Sequence, residues 1–384
     1  MLPRRATVSM IYNGANATEQ VAGYINSFEY TDVASGKSDS IRAVMNDRDN
    51  RWKGPWFPVK GDKLVPTIVL YNWTAPGQVI HFPCGTFGVD DFSFSGGPDK
   101  MNLDAIALPA STSFKSEDRT ETYEQATLQE IGQKVAGRAG IALFFDASDV
   151  AIEKVEQNNQ NDCDFYSGLV EKYGLSLKIY NDRLVVFSEA DYEARGPKFV
   201  LTPADFDPGW TWDTTLTGIY TGVRYQYTNS DKNKTFTVKA GTEERLLTNN
   251  EPADNLTEAT AIALAAVNNA NRGTTTMSLT MMARPGLIAS DTIEIAGLER
   301  LSGKYYVEQV THSIGSGYKM SLNLRKVEPR IGGLQQMSER TIQVGLAGFG
   351  MSGQIFHAPF ISADSRFTLK KVYERTSDKS KQAV

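Results

Sequence analysis

The sequence has few of the residues that build cross-linked or metal-centred proteins, with two cysteines and three histidines among 384 residues. Cys84 and Cys163 cannot form a disulfide framework or supply a four-ligand zinc site. No apolar run approaches the roughly 20 residues of a membrane-spanning helix, and no apolar stretch of a signal peptide follows the charged first residues. We expect a chain that is made in a cytoplasm and does not insert into a membrane.

The residues that are present indicate a folded chain with two unequal parts. Aromatic residues make up 10% of the sequence, which excludes intrinsic disorder, and the length allows two or three domains. Residues 1–336 carry 33 basic and 41 acidic groups, a net charge of −8, whereas residues 337–384 carry a net charge of +3. So acidic a first part is poorly suited to grip nucleic-acid phosphates, which requires clustered Lys and Arg.

Residues 1–110 predict a first antiparallel β-barrel domain. Short segments rich in β-branched and aromatic residues alternate with turns of Gly, Pro, Asn and Asp, which is typical of a barrel or sandwich. The predicted strands are Ala6–Tyr12, Tyr24–Thr31, Ser40–Asn46, Leu64–Trp73, Val79–Phe87, Asp90–Phe94 and Met101–Leu108.

Residues 111–200 predict a small α+β module inserted between β-rich parts. Thr127 and Glu130 have the spacing of a capping box, and apolar residues then recur at helical spacing. A second helix is predicted over Cys163–Tyr173, with Asp162 as its cap. A hairpin turning at Asn181-Asp182 follows.

Residues 201–330 predict a second β-barrel domain that contains an Ala-rich helix over Thr257–Asn271. Predicted strands are Thr217–Tyr227, Lys234–Val238, Asp291–Ala296, Lys304–Ile314 and Tyr318–Val327. In the last strand, Met320, Leu322 and Leu324 should point to one side and Ser321, Asn323 and Arg325 to the other. This alternation indicates a sheet with one wet face.

Several local signatures in residues 1–330 resemble the phage late control D proteins, the baseplate hub of contractile tails and related injection machines. The order of these stretches along the chain carries the resemblance. They are Lys60-Gly61-Asp62-Lys63-Leu64, Cys84-Gly85-Thr86-Phe87-Gly88-Val89-Asp90, Asn161–Phe165 through Tyr173-Gly174 to Leu184–Phe187, Leu201–Asp205, Tyr220–Val223, Leu301–Val307, Val310–Ile314, Gly317-Tyr318 and Ser321-Leu322.

This resemblance implies a homotrimer whose chains each carry two tube-type β-barrels. Six barrels would form a ring that adapts a sixfold tail tube to a threefold spike, with DNA only passing through the bore. It further implies contacts with the spike, the tube and other baseplate proteins, and a place in the virion tail baseplate, assembled in the bacterial host cytoplasm. Such a protein is not an enzyme and needs no cofactor or metal.

Residues 331–384 predict a linker and a truncated Rossmann-like fragment. A buried-type strand over Thr341–Ala347 leads directly into Gly348, Gly350 and Gly353, and a second strand, Phe367–Tyr373, ends at Glu374. Such glycines let a backbone approach a pyrophosphate, and Glu374 has the spacing of a ribose ligand. Residues 337–384 resemble the start of the glucose–fructose oxidoreductase and inositol dehydrogenase family. The family's remaining sheet and substrate domain do not follow, so we expect no functional cofactor site.

Other candidate groups have a simpler structural interpretation beside a chemical one. His81, His312 and His357 lack metal-ligand spacing, and His312 is expected to be a packed or hydrogen-bonded strand residue. Both cysteines are expected to be buried thiols. Asp90-Asp91 and Asp205/Asp207 suggest paired glycosidase carboxylates, and Trp210/Trp212 suggest a sugar-binding surface. Turns, strand ends and burial explain each of these pairs as well.

Three hypotheses therefore remain: a structural hub at the tube–spike junction, an NAD(P)-linked oxidoreductase fragment fused at residue 337, and a cell-wall-binding or wall-degrading tail component. The ordered resemblance favours the first.

Overall fold

The computed structural model describes residues 3–107, 113–230, 233–332, 342–347 and 367–373. The described chain is mostly antiparallel β with few helices, which confirms the predicted class at that level. The first β-rich part contains β1 (Arg5–Tyr12), β2 (Ala15–Asn16), α1 (Thr18–Ala22), β3 (Ile25–Val33), β4 (Ser40–Asn46), β5 (Lys63–Tyr71), β6 (Val79–Pro83), β7 (Phe87–Ser95) and β8 (Lys100–Ile106).

The α+β module, referred to below as the insert, follows. Its elements are α2 (Ser113–Ser116), β9 (Asp118–Thr127), α3 (Leu128–Arg138), β10 (Ala142–Asp146), β11 (Ala151–Asn161), α4 (Asp162–Lys172), β12 (Ser176–Tyr180), β13 (Arg183–Phe187) and α5 (Glu189–Ala194). The Thr127/Glu130 capping box is confirmed. The predicted cap of α4 was wrong: Asn161 accepts the Asp164 N–H at 2.9 Å, because Asp162 is buried and bonded to Arg138 instead.

The remaining elements return to β structure. They are β14 (Phe199–Leu201), β15 (Thr211–Thr214), β16 (Gly222–Asn229), β17 (Lys234–Gly241), β18 (Leu246–Asn249), α6 (Leu256–Asn271), β19 (Thr275–Met282), β20 (Thr292–Ile295), a 3-10 turn at Glu299–Leu301, β21 (Gly303–Ile314), β22 (Tyr318–Lys326), β23 (Ile342–Ala347) and β24 (Phe367–Tyr373). Strands β23 and β24 pair in parallel, as expected for the strands of a βαβ unit.

One fourteen-stranded sheet contains strands from both predicted barrels. Its main path runs β15-β19-β22-β21-β3-β4-β8-β7-β5-β1-β2, and the two β-rich parts join where β21 pairs with β3. The apolar side of this sheet forms a single core that includes Ile68, Leu70 and Met101 from the first part and Met320 and Leu322 from the second. The structure thus shows one shared sheet, and the division into two barrels stays a prediction.

A second core lies between the helices of the insert and a smaller sheet. Strands β16, β17 and β18 form that sheet, and α6 packs with them and with the insert. Val223 and Tyr225 of β16 and Ile262 of α6 are fully buried in the same cluster as Leu128 and Tyr166 of the insert. Strands β16, β17 and β18 and helix α6, which belong to the predicted second barrel domain, therefore pack with the insert.

Candidate functional site

The side of the large sheet opposite its core is mainly polar over eight consecutive strands, and the same register also places Val33, Val44, Ile106 and Met282 there. We call this surface, on β15, β19, β22, β21, β3, β4, β8 and β7, the polar face. Because side chains alternate along each strand, the cross-strand register places its members on one side. They are exposed or half-buried and comprise Thr211, Ser278, Thr280, Ser321, Asn323, Gln309, Thr311, Ser313, Ser27, Glu29, Thr31, Ser40, Arg42, Asn102, Asp104, Asp91 and Ser93.

A row of hydroxyl side chains crosses the junction between the two β-rich parts. Thr280, Ser321, Thr311, Thr31 and Ser40 are successive cross-strand partners. The hydroxyl oxygens of Thr280 and Ser321 lie 3.1 Å apart, and those of Thr311 and Thr31 lie 3.4 Å apart. Such groups bind water without carrying charge, so this row suits a wet surface rather than a buried contact.

Two cations of the polar face, Arg42 of β4 and Lys319 of β22, are held in ion pairs. Arg42 Nε donates to Asp104 Oδ1 at 2.7 Å, and this bond raises the pKa of Arg42. Lys319 Nζ donates to Asp207 Oδ2 at 2.6 Å. Because both cations are already paired, the described strands of this face present no cluster of free Lys and Arg that would hold a phosphate backbone.

The polar face ends at two strands with open edges. Among the described strands, β15 pairs only with β19, and β7 pairs with β8 on one side. On its other side β7 meets β5 only at Lys63 and Leu64, so residues 91–95 have no strand beside them. An open edge presents unpaired N–H and C=O groups to any strand that can reach it.

The insert is joined to the large sheet by buried ion pairs. Lys178 of β12 donates to Asp32 Oδ1 at 2.5 Å, and its Nζ lies 3.1 Å from Asp39 Oδ1. Burial raises the pKa of Asp39 to about 7, against the lowering effect of Lys178. Asp32 also accepts the Ala289 N–H at 2.8 Å, which ties β12 to both β-rich parts.

A second junction places Arg325 among carboxylates of α5. Its guanidinium bonds Glu189 at 2.7 Å and Glu193 at 2.5 Å, and only 4% of its side chain is exposed. Burial alone would raise the pKa of Glu189, but Arg272 and Arg325 lower it below the ordinary value. The prediction that Arg325 shares the wet side of β22 was wrong, because α5 covers that end of the strand; Ser321 and Asn323 are exposed as predicted.

The structure does not gather the other candidate residues into a reactive site. His312 is packed as expected, with Nδ1 2.8 Å from the Tyr318 hydroxyl, and burial lowers its pKa to about 4. Burial raises the pKa of Cys84, which is fully buried, and of Cys163, which is half-buried. His81 is exposed on β6. Within the described ranges no three His, Cys, Asp or Glu side chains cluster as metal ligands.

The paired acids and tryptophans take structural roles. Asp205 accepts the Thr202 N–H at 2.8 Å and bonds Arg284 at 2.8 Å, which closes a turn. Trp212 donates its ring N–H to the Tyr305 hydroxyl at 3.1 Å, and Trp210 packs against Phe206.

The remaining predicted residues lie at an exposed bulge or outside the described part of the chain. Asp90 and Asp91 are both exposed, at a bulge in β7. The dinucleotide fingerprint, Gly348, Gly350, Gly353 and Glu374, lies outside the described residues, as does His357.

No helix within the described parts of the chain combines the length and apolar content that crossing a bilayer requires. A local pattern predicted a wet face, whereas none predicted strand β15 or either charged junction. The two-residue alternation of β22 carried the signal for the wet face. Nothing in the local sequence marks Lys178, Asp32 and Asp39 as neighbours.

The fold matches those of solved phage tail proteins. A tail protein from Neisseria meningitidis superposes with a TM-score of 0.63 at 14% identity, covering 84% of this chain and 96% of that one. The 43 kDa tail protein of prophage MuSo2 from Shewanella oneidensis gives a TM-score of 0.62 at 12% identity, covering 84% and 98%.

A third match comes from a secretion machine. The E. coli protein c3393, described as a component of the type VI secretion system with structural similarity to T4 bacteriophage tail proteins gp27 and gp5, gives a TM-score of 0.51 at 13% identity, covering 84% and 79%. No family model and no curated protein matches this chain. At these identities the likeness establishes the fold, which this chain shares with phage tail proteins.

Proposed function

We propose that this protein is a structural, non-enzymatic component of a phage tail or a related injection machine, at the baseplate hub where the tail tube meets the spike. Two lines of support are the shared fold with tail proteins and the late control D signatures over residues 1–330. The place of action would be the virion tail baseplate, with assembly in the host cytoplasm.

One observation carries the proposal: the polar face spans eight antiparallel strands and ends in an open edge on each side. Eight is an even number, so β15 and β7 run in opposite directions. The β15 strand of a second copy can therefore lie beside β7 and continue the antiparallel alternation. Repeating this step around an axis closes a ring and leaves no open edge.

Three copies would place six β-rich parts around the axis, which suits a sixfold tube on one side and a threefold spike on the other. The polar face would line the bore, with water over its row of hydroxyl groups and with Arg42 paired to Asp104. Residues 1–336 carry a net charge of −8. Such a wall would let DNA pass without retaining it.

The alternatives have less support in the described residues. The oxidoreductase hypothesis depends on Gly348–Gly353 and Glu374, which lie outside the described residues. The cell-wall hypothesis depends on acidic and aromatic residues such as Asp205 and Trp212. Their hydrogen bonds stabilise a turn and the packing of the sheet.

The test is the mass and shape of the purified protein. We expect native mass spectrometry to find three copies of the chain, and negative-stain microscopy to show rings with an open centre. Mixing with a spike protein from the same genome should give a larger complex. A strict monomer at all concentrations that never associates with spike or tube would contradict the proposal.

A further inference from the structure

The two most exposed large apolar side chains among the described residues lie near the two open edges. Leu216, just after β15, has 71% of its surface exposed, and Val59, beside β7, has 61%. Phe57, two residues before Val59, is 53% exposed. Exposed apolar groups of this size cost free energy in water and commonly mark contact sites.

The segment that carries Phe57 and Val59 is fixed against β7. Gly61 N–H donates to Val89 O at 2.8 Å, and Val89 N–H donates to Asp62 O at 2.9 Å. Asp62 also accepts the Val59 N–H at 2.9 Å. This segment therefore ends strand pairing at Val89 and holds its apolar side chains next to the open stretch of β7.

Phe57 lies on the apolar side of β7. Its ring centroid is 5.4 Å from that of Phe92 and 5.9 Å from that of Phe94. Phe92 and Phe94 alternate with Asp91 and Ser93, which belong to the polar face. Any strand that continues the polar face past β7 thus meets Phe57 on its opposite side.

Leu216 has the matching position at the other edge. Thr215 N–H donates to Thr274 O at 2.9 Å, so the β15 ladder continues up to the residue before Leu216. Leu216 itself lies in the bend that follows, where its carbonyl accepts the Ile219 N–H at 3.3 Å. When β15 of one copy runs antiparallel beside β7 of the next, the end of β15 that leads to Leu216 comes to the Val89 end of the open stretch, next to Val59.

We propose that Leu216 of one copy packs against Phe57 and Val59 of the next copy and holds each seam of the ring closed. This inference rests on the proposed ring and assigns a specific apolar contact to each of its seams. The occupant is a second copy of this chain. Its β15 runs in the direction that continues the antiparallel order at β7, and it would extend the polar face. It also brings an exposed apolar side chain to the exposed apolar side chains beside β7.

The first test is Leu216→Asn, with Leu256→Asn as the matched control, since Leu256 is 51% exposed at the start of α6, away from both edges. We expect Leu216→Asn to raise the protein concentration at half-assembly at least about tenfold, as burial of one leucine side chain per seam implies. Leu256→Asn should leave it unchanged. Equal thermal melting of both monomers would show that folding is intact.

The second test is a cross-link in a Cys163→Ser background. Val59→Cys with Leu216→Cys should form covalent ladders up to the closed oligomer under a mild oxidant, whereas Val59→Cys with Leu256→Cys should not. Normal rings with no cross-link and no effect of Leu216→Asn would overturn the contact and leave the ring proposal standing. Loss of tube-protein binding with self-assembly unchanged would assign Leu216 to a different partner, and a wild-type monomer would remove the ring itself.

Discussion

The packing inside the large sheet and its junction with the insert depend on different kinds of contact. The sheet holds together by ladder hydrogen bonds and by one continuous apolar side, whose members include Ile68, Leu279 and Leu322. The insert meets the sheet at buried ions, with Lys178 between two aspartates and Arg325 among glutamates, beside a small apolar cluster that contains Tyr306 and against which Tyr192 packs. The free energy from apolar burial is spread over many side chains, so the loss of one is tolerated, whereas a buried charge is strongly destabilising once its partner is removed. The insert's position should therefore depend on single residues in a way that the sheet does not.

The largest effect that separates the two regions is expected from Arg325→Met. Removing this cation leaves Glu189 and Glu193 buried with less compensation, which should cost about 3–5 kcal/mol in the free energy of unfolding. Urea denaturation measures it. Lys319→Met, on the exposed side of the same strand, is the control and should cost at most about 1 kcal/mol. Equal losses would contradict the distinction.

A pH series on Asp39→Asn tests the other junction. The pKa of Asp39 rises from 3.8 to about 7 on folding through burial, so the native state keeps a proton that the unfolded chain releases. Asp39 therefore adds stability that is present below about pH 4 and is lost as the pH rises through 7.

The stability of the wild type minus that of Asp39→Asn should accordingly fall between pH 4 and 7 by up to about 4 kcal/mol, and then stay level. Chemical denaturation at each pH gives the two curves. The asparagine retains an oxygen that can accept the Val33 N–H. A difference that does not vary with pH would show that Asp39 is ionised in the folded protein throughout.

The smallest effect concerns tight packing inside the insert, at two glycines of α3. A Cβ at Gly132 would overlap the hydroxyl of buried Tyr166, whereas a Cβ at Gly137 would meet open space. Gly132→Ala should lower the free energy of unfolding by about 1–3 kcal/mol, and Gly137→Ala should raise it by roughly 0.5–1 kcal/mol. Thermal unfolding measures both. A stabilising Gly132→Ala would mean that Tyr166 can move aside.

Local sequence patterns predicted single strands and helices better than they predicted which strands and helices pack together. Seven strands of the first part were predicted within a few residues of their bounds, because alternation and turn-forming residues are properties of adjacent residues. The predicted strand Val79–Phe87 was too long, since β6 ends at Pro83 and β7 begins at Phe87. Strands β9 and β11 were missed because their exposed polar residues give no clear alternation. Arg325 was wrongly predicted to be solvent-exposed because its alternation with Leu324 is genuine, while Glu189 of the helix that covers it lies 136 residues earlier in the chain.

By itself, the sequence determined the β-rich class, the wet and apolar sides of single strands, the capping box at Thr127 and the position of the Ala-rich helix, since each depends on contacts between near neighbours. Only the tertiary structure decided that β21 joins β3, that eight strands share one polar face with open ends, and that α6 packs with the insert. These features depend on which distant strands meet, and pairing between distant strands is set by the packing of the whole chain rather than by any local pattern.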